Sequence, residues 1–141
     1  MRTALCAAMI LALHVVSASA QIYRVAEMNT DQIRALDRER TIVLLPGGIL
    51  EQHGPYLPSF ADGYVSERVT QTIAEAIVAR PGWKALVFPV IPLGVSAANE
   101  IGGKYAFDGS YTVRSATLRA VFMDLATELG EGGFGGGTVH G

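Results

Sequence analysis

Glu51, His53 and Asp62 are the side-chain types that hydrolytic metal sites combine: imidazole and carboxylates, arranged so that one position stays open for water. Glu51 and His53 lie two residues apart, so in an extended segment they share a face while Gln52 takes the other. A carboxylate such as Asp62 can also bridge two ions, and such a pair clamps a water-derived nucleophile and polarises a carbonyl. Spacing alone leaves other uses open. His53 also suits an ordinary loop-edge histidine, and Asp62, just ahead of a helix, also suits an N-cap.

The elements around these residues form a regular series. The apolar run Thr41–Leu45 predicts a buried strand, so Pro46 to Pro58 leaves its carboxyl end, where open α/β sheets keep their sites. Three prolines and four glycines between Pro46 and Gly63 stiffen that stretch into a shaped loop. Before it, Asn29–Arg38 predicts a short helix with Asn29 or Thr30 as N-cap and Ile33 and Leu36 as contacts. After it, Val65, Val69, Ile73 and Ile77 recur every four positions and predict a helix over Tyr64–Arg80, stopped by Pro81-Gly82 and packed through that stripe. Ala85–Ile91 predicts a second, parallel strand despite Pro89. Pro92–Thr112 is a long glycine-containing loop, of a kind more often functional than idle, and Ser96 within it is a candidate substrate contact or a plain loop residue. Arg114–Leu129 predicts a last helix, apolar at Leu118, Val121, Phe122, Leu125 and Leu129, with Gly130 to end it.

Helix, strand, loop, helix, strand, loop, helix is the rhythm of a parallel sheet with helices packed on it. A third strand is expected after the last helix, yet six of the final eleven residues are glycine, so the sheet reads as cut short. Gly130-Glu131-Gly132-Gly133-Phe134-Gly135 has the spacing G-x-G-x-x-G, but a helix precedes it where a dinucleotide site needs a strand.

Met1-Arg2, the apolar stretch Leu5–Val16 and Ala18-Ser19-Ala20 have the layout of a cleaved signal peptide, residues 1–20, too short in apolar length for the ~20 residues of a bilayer span. A secreted or periplasmic domain of residues 21–141 is therefore expected, with no membrane association after cleavage. That domain has no cysteine, since Cys6 lies in the leader, and its histidines are His53 and His140. Eleven basic against thirteen acidic residues, scattered rather than grouped, speak against a nucleic-acid partner.

Leu45-Pro46-Gly47-Gly48-Ile49-Leu50-Glu51-Gln52-His53-Gly54-Pro55-Tyr56-Leu57-Pro58, followed by Asp62, resembles the creatininase family of metal-dependent amidohydrolases. The resemblance continues through Pro92-Leu93-Gly94-Val95-Ser96 and through Gly103 to Ser110, which is similar to the family's Phe-Pro-Gly-Thr turn. It implies an α/β/α three-layer fold with a mostly parallel sheet, and a two-metal site of zinc or manganese in which Glu51 and His53 each bind one ion and Asp62 bridges them. His140 would stand for the histidine of the family's later Asn-Gly-His-Gly-Gly-Asn turn. Tyr56 replaces the family's usual second histidine, a change that bears on loop packing or the substrate side.

The same resemblance implies hydrolysis of a non-peptide or cyclic amide C–N bond by metal-activated water, a small-molecule amide substrate and assembly as a homo-oligomer, hexameric in the family. It reaches only the N-terminal half of the family's length. The competing expectation is a truncated or degenerate relative that binds without turnover. Metal binding by this chain is expected to be weak and lost as the imidazole takes up a proton.

Overall fold

A computed structural model of the protein describes residues 21–95 and 107–135. The expected signal peptide, Ser96 and His140 lie outside these residues. Three short strands, β1 (Gln21–Arg24), β2 (Thr41–Leu44) and β3 (Lys84–Val87), form one parallel sheet in the order β1-β3-β2. Lys84 to Val87 pair residue by residue with Gln21 to Arg24 on one side and Thr41 to Leu44 on the other.

The expected class, α/β with a parallel sheet between helical layers, is what the chain adopts. Alternation along β3 sorts the layers, because successive side chains of a strand point to opposite faces. Ala85 and Val87 join Ile22 and Leu44 against Ala74, Ile77 and Val78 of α2 (Ala61–Val78). Leu86 faces the other way, into a cluster with Leu36 and Phe134 that Tyr23, Val25, Met28, Val43 and Leu129 complete. That second layer is built by the segment around α1 (Thr30–Arg34) and by the end of α3 (Ser115–Glu131).

Four details depart from the sequence reading. The third strand comes from the front of the domain: Gln21–Arg24 pairs beside β3, ahead of the expected first helix. α1 stops after five residues. It opens with the capping box its sequence allows, Asn29 Oδ1 accepting from Gln32 N and Gln32 Oε1 from Asn29 N. Asp37 then accepts from the amides of Glu39 and Arg40 through Oδ1, a local turn that competes with further helix. β3 ends at Val87 because Pro89 has no N–H for the ladder, and pairing resumes beyond it, where Ile91 N donates to Pro46 O and Gly48 N to Ile91 O.

The largest departure is the orientation of α2. Its buried residues are Gly63, Thr70 and Ala74, whereas Val65, Val69 and Ile73 stand 63%, 52% and 45% exposed. Small residues won the inner face because they let the helix lie close on the sheet: Ala74 and Ala85, both fully buried, meet there. α3 does turn the expected face inward, with Leu118, Val121, Phe122, Leu125 and Leu129 half-buried, and runs through Gly130 before ending. Among the described residues no helix is long and apolar enough to cross a membrane.

Candidate active site

The loop that leaves β2 rises at the carboxyl end of the sheet, between strands whose following helices lie on opposite faces: α2 after β2, α3 after β3. Such a switch in direction opens the crevice in which α/β folds bind ligands. Backbone hydrogen bonds fix the loop on three sides. The Gly47–Ile91 bridge ties its start to the segment after β3. Leu50 O accepts from Tyr111 N at 2.8 Å, and Gln52 N donates to Ser110 Oγ at 3.0 Å, so the segment beyond Phe107 forms one wall. Glu51 N donates to Ser59 O at 2.8 Å, folding the loop back on itself.

Two glycines make this closeness possible. A Cβ on Gly48 would lie 3.0 Å from Gly63 Cα, so the loop meets the first turn of α2 backbone to backbone. Gly109 has φ +88°, and a Cβ there would stand 2.7 Å from Ser59 Oγ.

The result brings His53 and Asp62 together. His53 Nε2 is 3.5 Å from Asp62 Oδ2, with the side chains 24% and 47% exposed, a position reachable by solvent yet not fully in it. Asp62 does not cap α2. The N-cap is Phe60, and Asp62 sits in the first helical turn, where the positive end of the helix dipole suits a carboxylate. The other imidazole nitrogen, Nδ1, lies 2.7 Å from Glu51 O. A carbonyl only accepts, so Nδ1 carries the proton, and in the neutral ring Nε2 turns its lone pair towards the Asp62 carboxylate. Two acceptors then face each other across a gap suited to a cation. A histidine whose second nitrogen is held by a carbonyl is the usual arrangement of a metal-ligating imidazole.

Glu51 therefore serves the pair first through its main chain. Among the described residues no three His, Cys, Asp or Glu side chains converge as a ready cation cage. The donor set among the described residues is one imidazole and one carboxylate, which fits a divalent ion as part of a larger shell.

Tyr56 is 91% exposed and Leu57 58%, so the tyrosine at the position of the family's second histidine projects from the loop instead of packing beneath it. Phe60 and Tyr64 stack edge to face with centroids 5.3 Å apart at the start of α2. Sequence reasoning did not pick out Ser59, Ser110 or Glu67. The first two hold the loop, and Glu67 borders an open groove of about 500 Å³ with Leu50, Phe60 and Pro92. Only Ser110 had a signal, as the last residue of the segment similar to the Phe-Pro-Gly-Thr turn.

The family model for creatininase, described as creatinine amidohydrolase, matches residues 26–136. The chain belongs to the creatininase family. This creatininase-family chain is 30% identical over 97 residues to a mycofactocin precursor peptide peptidase from Mycolicibacterium smegmatis, covering 69% of the chain and 37% of that protein. It is 32% identical over 92 residues to a creatinine amidohydrolase from Pseudomonas putida, covering 65% of the chain and 33% of that protein. It thus spans little more than a third of the length of the curated relatives it matches. A crystal structure of a provisionally assigned creatinine amidohydrolase from Bacteroides fragilis superposes with a TM-score of 0.64 at 24% identity, over 79% of this chain and 42% of that one, and supports the fold.

Proposed function

We propose that this creatininase-family chain supplies part of a divalent-metal amidohydrolase site that cleaves a non-peptide or cyclic amide C–N bond. One observation carries the reading: His53 Nε2 and Asp62 Oδ2 face each other at 3.5 Å while the Glu51 carbonyl holds the far side of the ring. The family match supports the reaction class, since the two named relatives act on C–N bonds of very different molecules.

His53 presents one lone pair, Asp62 offers a carboxylate for one ion or two, and the Glu51 carbonyl fixes the imidazole tautomer. The Glu51 side chain and His140, whose residue lies outside the described ones, are the further ligands the proposal assigns, and Ser96 its substrate contact. Zinc or manganese held there would supply Lewis-acid polarisation of the amide carbonyl and a more acidic water. Ser59 and Ser110 keep the loop from swinging away. The proposal also takes the chain to be exported and to work as a homo-oligomer.

Isothermal titration with zinc and with manganese tests the ligand set. Binding should be lost in His53→Ala, strongly weakened in Asp62→Asn and least affected in His140→Ala, because a ligand in so glycine-rich a stretch spends most of its contribution on being ordered. Binding that survives His53→Ala would overturn the site. The reaction is tested by a chimera in which this chain replaces the matching third of the Pseudomonas putida creatinine amidohydrolase. Creatinine turnover that disappears with His53→Ala is expected, and a folded chimera without turnover would sink the reading.

A further inference from the structure

Next to the groove at the site loop, a second cavity of about 130 Å³ lies between α2 and the carboxyl ends of the strands. Arg24 ends β1, Val87 ends β3 and Pro46 lies just beyond β2, and all three line it. This is the end of the sheet at which open α/β folds bind ligands. His53 and Asp62 are not among its lining residues. α2 supplies Glu67, Thr70 and Gln71 instead, which at spacings of three and four share one face of the helix.

Three observations make the cavity a built polar site. The first is Arg24, which reaches from β1 to α2: its Nη2 donates to Gln71 Oε1 at 2.8 Å. Gln71 Nε2 in turn donates to Glu75 Oε1 at 2.9 Å, which keeps the amide oxygen towards the guanidinium. That partner is neutral, and Arg24 forms no ion pair among the described residues. The second is Thr70. It is 9% exposed, and its hydroxyl has no hydrogen-bond partner among the described residues. A buried polar group left in this way calls for a partner from outside the chain. The third is the acidic side of the cavity, where Glu27 and Glu67 stand, likewise without an ion pair among the described residues.

These groups select the charge of an occupant. A simple anion would meet Arg24 and Thr70 but would lie beside two carboxylates. A simple cation would meet the carboxylates and leave the guanidinium unanswered. A molecule carrying both an ammonium and a carboxylate satisfies both sets. At about 30 Å³ for each water-sized group, the cavity takes roughly four or five such groups, the size of glycine or β-alanine.

We propose that this cavity binds a small zwitterion, an α- or β-amino acid, with its carboxylate on Arg24 and Thr70 and its ammonium towards Glu27 and Glu67. Hydrogen bonds between charged groups are the strong ones, and each end of the ligand makes them. The inference rests on the cavity alone and does not depend on the proposed metal chemistry.

Nitrogen-15 NMR titration of the full chain with glycine and with β-alanine tests it. Saturable shifts at the Thr70, Gln71 and Phe88 amides are expected with at least one of the two, at a Kd on the order of 1 mM. Acetate alone and methylammonium alone should each bind roughly tenfold more weakly, since each meets only half of the site. Arg24→Gln and Glu67→Gln, both at exposed positions, should each weaken the amino acid by about tenfold with an unchanged circular-dichroism spectrum. Thr70→Val, which keeps the shape and removes the hydroxyl, should weaken it as well.

The absence of saturable shifts with either amino acid overturns the proposal. So does acetate or methylammonium binding as tightly as the amino acid, which would make the cavity a site for a simple ion. Full affinity in folded Arg24→Gln overturns it too, as do shifts centred on His53 and Gly54, which would assign the zwitterion to the candidate active site.

Discussion

At the scale of single residues, the candidate site depends on groups that hold the ligands as much as on the ligands. Ser110 is 7% exposed and accepts the Gln52 amide, so Ser110→Ala leaves that N–H without its partner. Loss of one such bond costs about 1–3 kcal/mol when the donor stays buried. Urea unfolding should report that loss, and calorimetry should show weaker metal binding because His53 sits one residue beyond the released amide. Unchanged binding would separate the loop's anchoring from its chemistry. Tyr56→Ala, at a side chain 91% exposed, should instead change stability by no more than about 0.5 kcal/mol. The meeting of His53 with Asp62 was legible in the sequence because the two sit in one contiguous, stiffened stretch. The Gln52–Ser110 contact was not, since it joins positions 58 residues apart and depends on how two loops meet.

At the scale of elements, a period of four announced α2 correctly, but of its stripe only Ile77 packs against the sheet, while Val65, Val69 and Ile73 face outwards. Hydrophobic periodicity marks a helix, but close helix-to-sheet packing is decided by side-chain size, and Gly63, Thr70 and Ala74 carry no strong apolar signal. Ala74→Leu should therefore cost more than its added hydrophobicity returns, on the order of 1–3 kcal/mol for overpacking against Ala85. Val69→Ser on the outer face should leave the thermal midpoint nearly unchanged. Equal destabilisation by both would mean that the outer stripe is covered. β1 escaped notice because four residues are too few to show alternation, whereas Asn29, one of two N-cap residues the sequence offered, announced the start of α1, and the structure adds Gln32 to it as a capping box. Asn29→Ala should cost about 1 kcal/mol.

At the scale of the whole molecule, the parallel sheet buries both faces of β3 and leaves apolar surface elsewhere. Class and layer order followed from the rhythm of helices and strands, while strand order did not, because only the pairing of β1 with β3 places β3 at the centre. Val65, Val69 and Ile73 form a continuous stripe on the side of α2 away from the sheet, and Tyr64 and Leu57 extend it towards the site loop, at 57% and 58% exposure. Contiguous apolar surface of this kind marks contact with another protein surface. With its own copies as the available surface, the chain should associate through α2, in keeping with the proposed homo-oligomer. Size-exclusion chromatography should show a mass that rises with concentration, and Val69→Lys with Ile73→Lys should return it to a monomer with an unchanged circular-dichroism spectrum. A wild-type chain that stays monomeric across the same range would refute association through this stripe, and association that survives both lysines would move it to another surface.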